Sequence, residues 1–167
     1  MERAVLISIR PEWVEKILNG EKTIEIRKSM PKCELPCKVY VYCTKGTRPC
    51  MYGWRNAFYS QSPNLNGKIV AGFTLNKVDF IKMPTNLPQE FLEKSCLNGS
   101  EIMAYLGGDF YKDFYAWHIE DLVVYDKPKE LHEFGVYDVR WSKARKCEMP
   151  GWFPLKRPPQ SWCYVEK

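Results

Sequence analysis

The chain has 167 residues, 45% of them apolar, and a net charge of +5. These values fit one domain, residues 1–167, with a sizeable core, and exclude a disordered chain. No apolar run reaches the roughly 18 to 20 residues that span a bilayer, which excludes a membrane helix.

In chain order, RAVLISI (Arg3 to Ile9) is apolar and β-branched and predicts a strand. Followed at once by Arg10 and Glu12, it is too short for a signal peptide. Pro11 then suits the first turn of a helix, in which Val14, Ile17 and Leu18 share one face; Gly20 stops it in the left-handed cap position. KTIEIRK (Lys22 to Lys28) alternates as a second strand, with Ile24 and Ile26 on the core side and Thr23, Glu25 and Arg27 opposite. PKCELPC is a proline-bounded loop, and KVYVYCT alternates again. Lys45 to Asn66 reads as a long loop containing Trp54, Phe58 and Tyr59.

GKIVAGFTLNKVDFIK predicts a long strand or a bent pair, with Gly72 at a bulge or a close backbone approach. LPQEFLEKSC and GSEIMAYLGG predict two short helices, the second with Asn98 and Glu101 at capping-box spacing. FYAWHIEDLVVYD predicts another long strand and KPKELHEF a brief turn. The C-terminal stretch reads as irregular until SWCYVEK, a closing strand. About six strands, mixed or antiparallel, with a helix after the first strand and a short helical insertion, predict an α+β fold built on a small β-barrel.

Charge is distributed unevenly. No acid occurs between Glu34 and Asp79, an interval that carries Lys38, Lys45, Arg48, Arg55, Lys68 and Lys77. Arg140 to Arg157 holds six cations against Glu148. Such polarity fits either a surface for a polyanion or a solvated basic face. Seven scattered cysteines predict reduced thiols and a cytoplasmic protein. Cys33, Cys37, Cys43 and Cys50 lack the paired spacing of a zinc ribbon, no phosphate loop or metal motif occurs, and no metal or cofactor is expected.

Glu25 and Arg27, two apart on one strand face, are close enough to pair. They form either an exposed ion pair of little worth or a pocket wall that fixes the guanidinium for a phosphate or a base edge. Lys22 stands at the strand entrance. Ser8 is either a turn residue or part of the same site, beside Arg10. His118 is either structural or functional, whereas His132 reads as surface. Trp117 and Trp162 are candidates to stack on a base, and Trp54 and Trp152 suit a single-strand contact.

LISIRPEWVEKILNGEKTIEIRK, taken with GKIVAGFTLNKV, YAWHIEDLVVYDKPKEL and RPPQSWCYVEK, resembles the ASCH domain family of the PUA-like superfamily, in its bacterial and prophage type. The resemblance rests on Gly20, Lys22, Glu25 and Arg27, with Trp117, His118, Gln160, Ser161 and Trp162. It implies a PUA-like barrel that recognises RNA, or a modified nucleotide, in a cleft between barrel and first helix. The residues implied are Ser8, Arg10, Lys22, Thr23, Glu25, Arg27, Trp117, His118, Gln160, Ser161 and Trp162; DNA is a possible partner. One branch of the family deacetylates N4-acetylcytidine through Gly-x-Lys-Thr-x-Thr-x-Arg. Lys22 matches its lysine, but Glu25 stands where the second threonine belongs, and its later glutamate has no placed counterpart. A metal-independent hydrolase using Lys22 and Glu25, or a ribonuclease, is the alternative.

Overall fold

The computed structural model describes residues 3–53 and 64–166. Trp54, Arg55, Phe58 and Tyr59 lie outside the described residues. Seven strands form one sheet in the order β7 (Glu120–Lys129), β4 (Ile69–Leu75), β3 (Cys37–Cys43), β1 (Arg3–Ile9), β10 (Trp162–Glu166), β8 (Gly135–Ser142), β9 (Cys147–Pro154). A second sheet has the order β2 (Ile24–Arg27), β6 (Phe114–His118), β5 (Val78–Ile81). Among the described residues only β1 and β3 pair in parallel, since a helix and another strand lie between them; the other pairings are antiparallel.

The two sheets share strands at their corners. β4 continues through Asn76 and Lys77 into β5, and β6 continues through Ile119 into β7. The single long strand expected over 114–126 is therefore two, turned by Ile119 and the left-handed Asp121 (φ 47°). These corners wrap the sheets around one core of Val5, Ile7, Val39, Val41, Phe73 and Trp117. The fold is α+β, with the two sheets curled into a barrel.

Helix α1 (Pro11–Leu18) starts with proline in its first turn and buries Val14, Ile17 and Leu18 against that core. Each such side chain contributes about 1.5–3 kcal/mol of burial. Gly20 takes φ 76°, which a β-carbon disfavours, and releases the chain toward β2. Gly72 marks a close approach: a β-carbon there would lie 2.6 Å from the Tyr125 hydroxyl. Helices α2 (Gln89–Ser95) and α3 (Gly99–Tyr105) cover the outer face of β2 and β6, where Ile26 and Phe114 meet Ile102 and Leu106. The Asn98–Glu101 capping box is formed in both directions.

One expectation is corrected. The stretch read as irregular contains β8 and β9, an antiparallel hairpin of eight register pairs; with the two long strands each divided at a corner, the described residues hold ten strands where about six were expected. Pro150, Gly151 and Pro154 argue against a strand in sequence, but β9 is an edge, where a missing N–H costs no ladder bond.

Candidate functional site

Both faces of β2 are buried. Ile26 joins the small core under α2 and α3, while alternation turns Glu25 and Arg27 toward a cavity of about 590 Å³. That cavity lies among the barrel, α1 and α3. Its polar lining includes Ser8, Arg10, Lys22, Glu25, Arg27 and Gln160; Trp13 of α1 and Tyr105 of α3 add aromatic surface.

Three charged residues of its wall, Lys22, Glu25 and Arg27, satisfy one another in one network. Glu25 Oε1 lies 3.0 Å from Arg27 Nη2 and its Oε2 3.3 Å from Lys22 Nζ. Lys22, only 2% exposed, also donates to the Ser95 carbonyl at 2.6 Å, and its ammonium stands 5.6 Å from the Trp13 ring centroid. Arg27 Nη2 donates to the Ser8 carbonyl at 2.8 Å, and Nη1 to Ser161 Oγ at 3.4 Å. Isolated charges could not be buried here; the paired arrangement repays their desolvation and fixes the guanidinium plane. Two buried polar atoms of cavity-lining residues, Ser8 Oγ and Arg27 Nε, have no hydrogen-bond partner among the described residues.

The residues singled out in sequence separate into two groups. Ser8, Arg10, Lys22, Glu25, Arg27 and Gln160 line the cavity, and Ser161 supports Arg27 from its edge. Thr23 bonds instead through its backbone to Lys94 and Ile119. Trp117 is fully buried and donates to the Ser29 carbonyl at 3.2 Å. Trp162 packs 5.9 Å from it and donates to Ser29 Oγ at 3.1 Å, so both rings serve the core. His118 faces away and meets Asp79 Oδ2 at 2.7 Å. Burial raises the Asp79 carboxyl, but His118 and Lys77 outweigh that and hold it below its ordinary value.

Trp13 and Tyr105 were missed. Each is one aromatic on an amphipathic helix, and only tertiary packing brings both to the cavity. Four of the seven cysteines sit in two pairs. Cys33 and Cys37 approach to 2.8 Å, with the Cys37 thiol pushed up to about 12 by burial and then by Cys33. Cys43 is raised by its hydrogen bond with Cys50 and by burial. All seven cysteines are free, and among the described residues no group of three or more His, Cys, Asp or Glu is placed to hold a metal. No described helix is long and apolar enough to cross a membrane.

A family model described as the ASCH domain matches residues 7–130. No curated protein matches the chain. Among solved structures, a serine-to-alanine variant of an ASCH protein from Zymomonas mobilis superposes with a TM-score of 0.64 at 18% identity, covering 98% of this chain and 89% of that one. The unsubstituted protein from the same organism gives 0.58 at 17% identity, covering 98% and 88%. At such identities the likeness establishes the fold.

Proposed function

The chain belongs to the ASCH domain family, and on that premise we propose that it is a binding module whose cleft holds one nucleotide unit of RNA, or a modified nucleotide. The observation that carries this reading is the buried Lys22–Glu25–Arg27 network on the cavity wall, with Ser8 Oγ and Arg27 Nε beside it and unpartnered. A buried donor or acceptor without a partner costs about 1–3 kcal/mol. A phosphate oxygen or a base-edge acceptor would accept from Arg27 Nε, and Ser8 Oγ can donate or accept.

The lining holds three cations, Arg10, Lys22 and Arg27, against Glu25 and Glu101, which favours an anion. Trp13 and Tyr105 offer rings for a base, a contact worth about 1–3 kcal/mol. The volume lies within the roughly 300–1,000 Å³ of small-molecule sites.

The hydrolase alternative needs Lys22 to take up a proton or to contact a reacting atom. Its ammonium is already committed to Glu25 and the Ser95 carbonyl, which favours holding a ligand over transforming it.

Calorimetric titration with nucleoside 5′-monophosphates, standard and modified, tests the proposal. Saturable binding to at least one, weakening between about 50 and 300 mM salt and reduced in Arg27→Lys, is expected. No binding across the panel, or binding untouched by the substitution, would overturn it.

A further inference from the structure

The β8–β9 hairpin lies beyond the residues that the family model matches. It leaves the seven-stranded sheet after one register pair, Gly135 with Glu166. Directly opposed residues share a face, and the pairing places Tyr137 opposite Trp152, Val139 opposite Pro150 and Trp141 opposite Glu148. On that face Tyr137 is 54% exposed, Trp141 64% and Trp152 40%. From Tyr137 to Trp141 the strip runs roughly 13 Å, at about 3.3 Å per residue.

The other face is occupied by the hairpin's own contacts. Arg140 lies over the Phe153 ring at 4.0 Å and pairs with Asp138 at 3.3 Å. The turn carries Lys143, Arg145 and Lys146, and Lys156 and Arg157 follow β9. Among the described residues no carboxylate pairs with any of these five. A contiguous exposed aromatic strip marks an interaction surface, and uncompensated cations at its end select a polyanion.

We propose that this face of the hairpin docks single-stranded nucleic acid, with Tyr137, Trp141 and Trp152 stacking on unpaired bases and the turn's cations holding the backbone. The inference extends the nucleotide reading of the cleft from one unit to a chain, and rests on that reading for the polymer's chemistry. Rings reach bases only where they are unpaired, so a duplex does not fit the strip. A second copy fits poorly too, because it would bring a like-charged tip to the same face.

The test is fluorescence anisotropy with labelled oligouridine and oligothymidine of about 12 nucleotides, within the usual range of single-strand site sizes, and with a duplex of equal length. Trp141→Ala and Tyr137→Ala should each weaken single-strand binding about tenfold while leaving mononucleotide affinity in the cleft unchanged. Lys143→Ala and Lys146→Ala should each lower the salt slope by about 0.7. Preference for oligouridine would identify RNA, and equal affinity would identify single strands in general; either supports the proposal. Wild-type oligonucleotide affinity in both ring variants overturns it even if the cleft binds mononucleotides. A ring-dependent oligonucleotide affinity without mononucleotide binding upholds the hairpin and sinks the cleft. Loss of self-association as the sole effect of the ring variants also overturns it.

Discussion

β2 and the β8–β9 hairpin are both short pieces of sheet that mix charge with apolar side chains, yet they handle them oppositely. In β2 all four residues are buried, and its two charged side chains are held by Lys22, Ser8 and Ser161. In β8 the five residues Tyr137 to Trp141 are all exposed, and so are the turn's cations Lys143, Arg145 and Lys146. Buried charge must be satisfied inside the protein, so the proposed recognition in the cleft would use the atoms that hold the structure. Exposed rings and lysines carry little of the fold, so in the hairpin the proposed contact would be separable from stability.

Substitutions can break that contrast. The largest effect is expected for Glu25→Gln, which leaves Lys22 and Arg27 buried without their common carboxylate. A loss of about 3–5 kcal/mol is expected by chemical denaturation, and a loss below about 1 kcal/mol would mean the network is not the support described. Arg27→Lys keeps the charge but not the fork to Glu25, Ser8 and Ser161. It should cost about 1–3 kcal/mol of stability and weaken nucleotide binding at least tenfold in the same calorimetric titration. Tyr105→Ala should cost about 1–3 kcal/mol of nucleotide affinity with less effect on melting, since the ring is partly exposed.

Trp141→Ala sharpens the contrast from the other side, with stability expected within about 0.5 kcal/mol of the parent. The smallest effect concerns pH. Asp79 has a depressed folded-state pKa, so its contribution is present above the unfolded value of about 4 and lost as pH falls through the folded one. Asp79→Asn should flatten the acid limb of a stability–pH profile slightly, because the carboxylate is more than a third exposed. An unchanged acid limb would remove the pair from the account.

Much of the cleft was legible because local rules coincide there. Pro11 and Gly20 bound a helix, alternation sets Glu25 and Arg27 on one face, and two charges two residues apart on a strand are close enough to pair. Three things were not legible. That both faces of β2 are buried could not be read, because α2 and α3 arrive from far along the chain and bury Ile26 as fully as the barrel buries Glu25. The rings of Trp117 and Trp162 looked available, but packing commits both to Ser29, while Trp13 and Tyr105 reach the cavity only through helix placement. The hairpin was hidden by Pro150, Gly151 and Pro154, which an edge strand tolerates and a central one does not.

The central claim is that the buried network holds a nucleotide and does not transform it. It is tested most directly by incubating the protein with total RNA digested to nucleosides and nucleotides, followed by mass spectrometry of what is retained and what is changed. The account predicts a retained, chemically unaltered species that Arg27→Lys releases. A species altered by the parent protein and spared by Lys22→Ala would contradict it and make the cleft an active site.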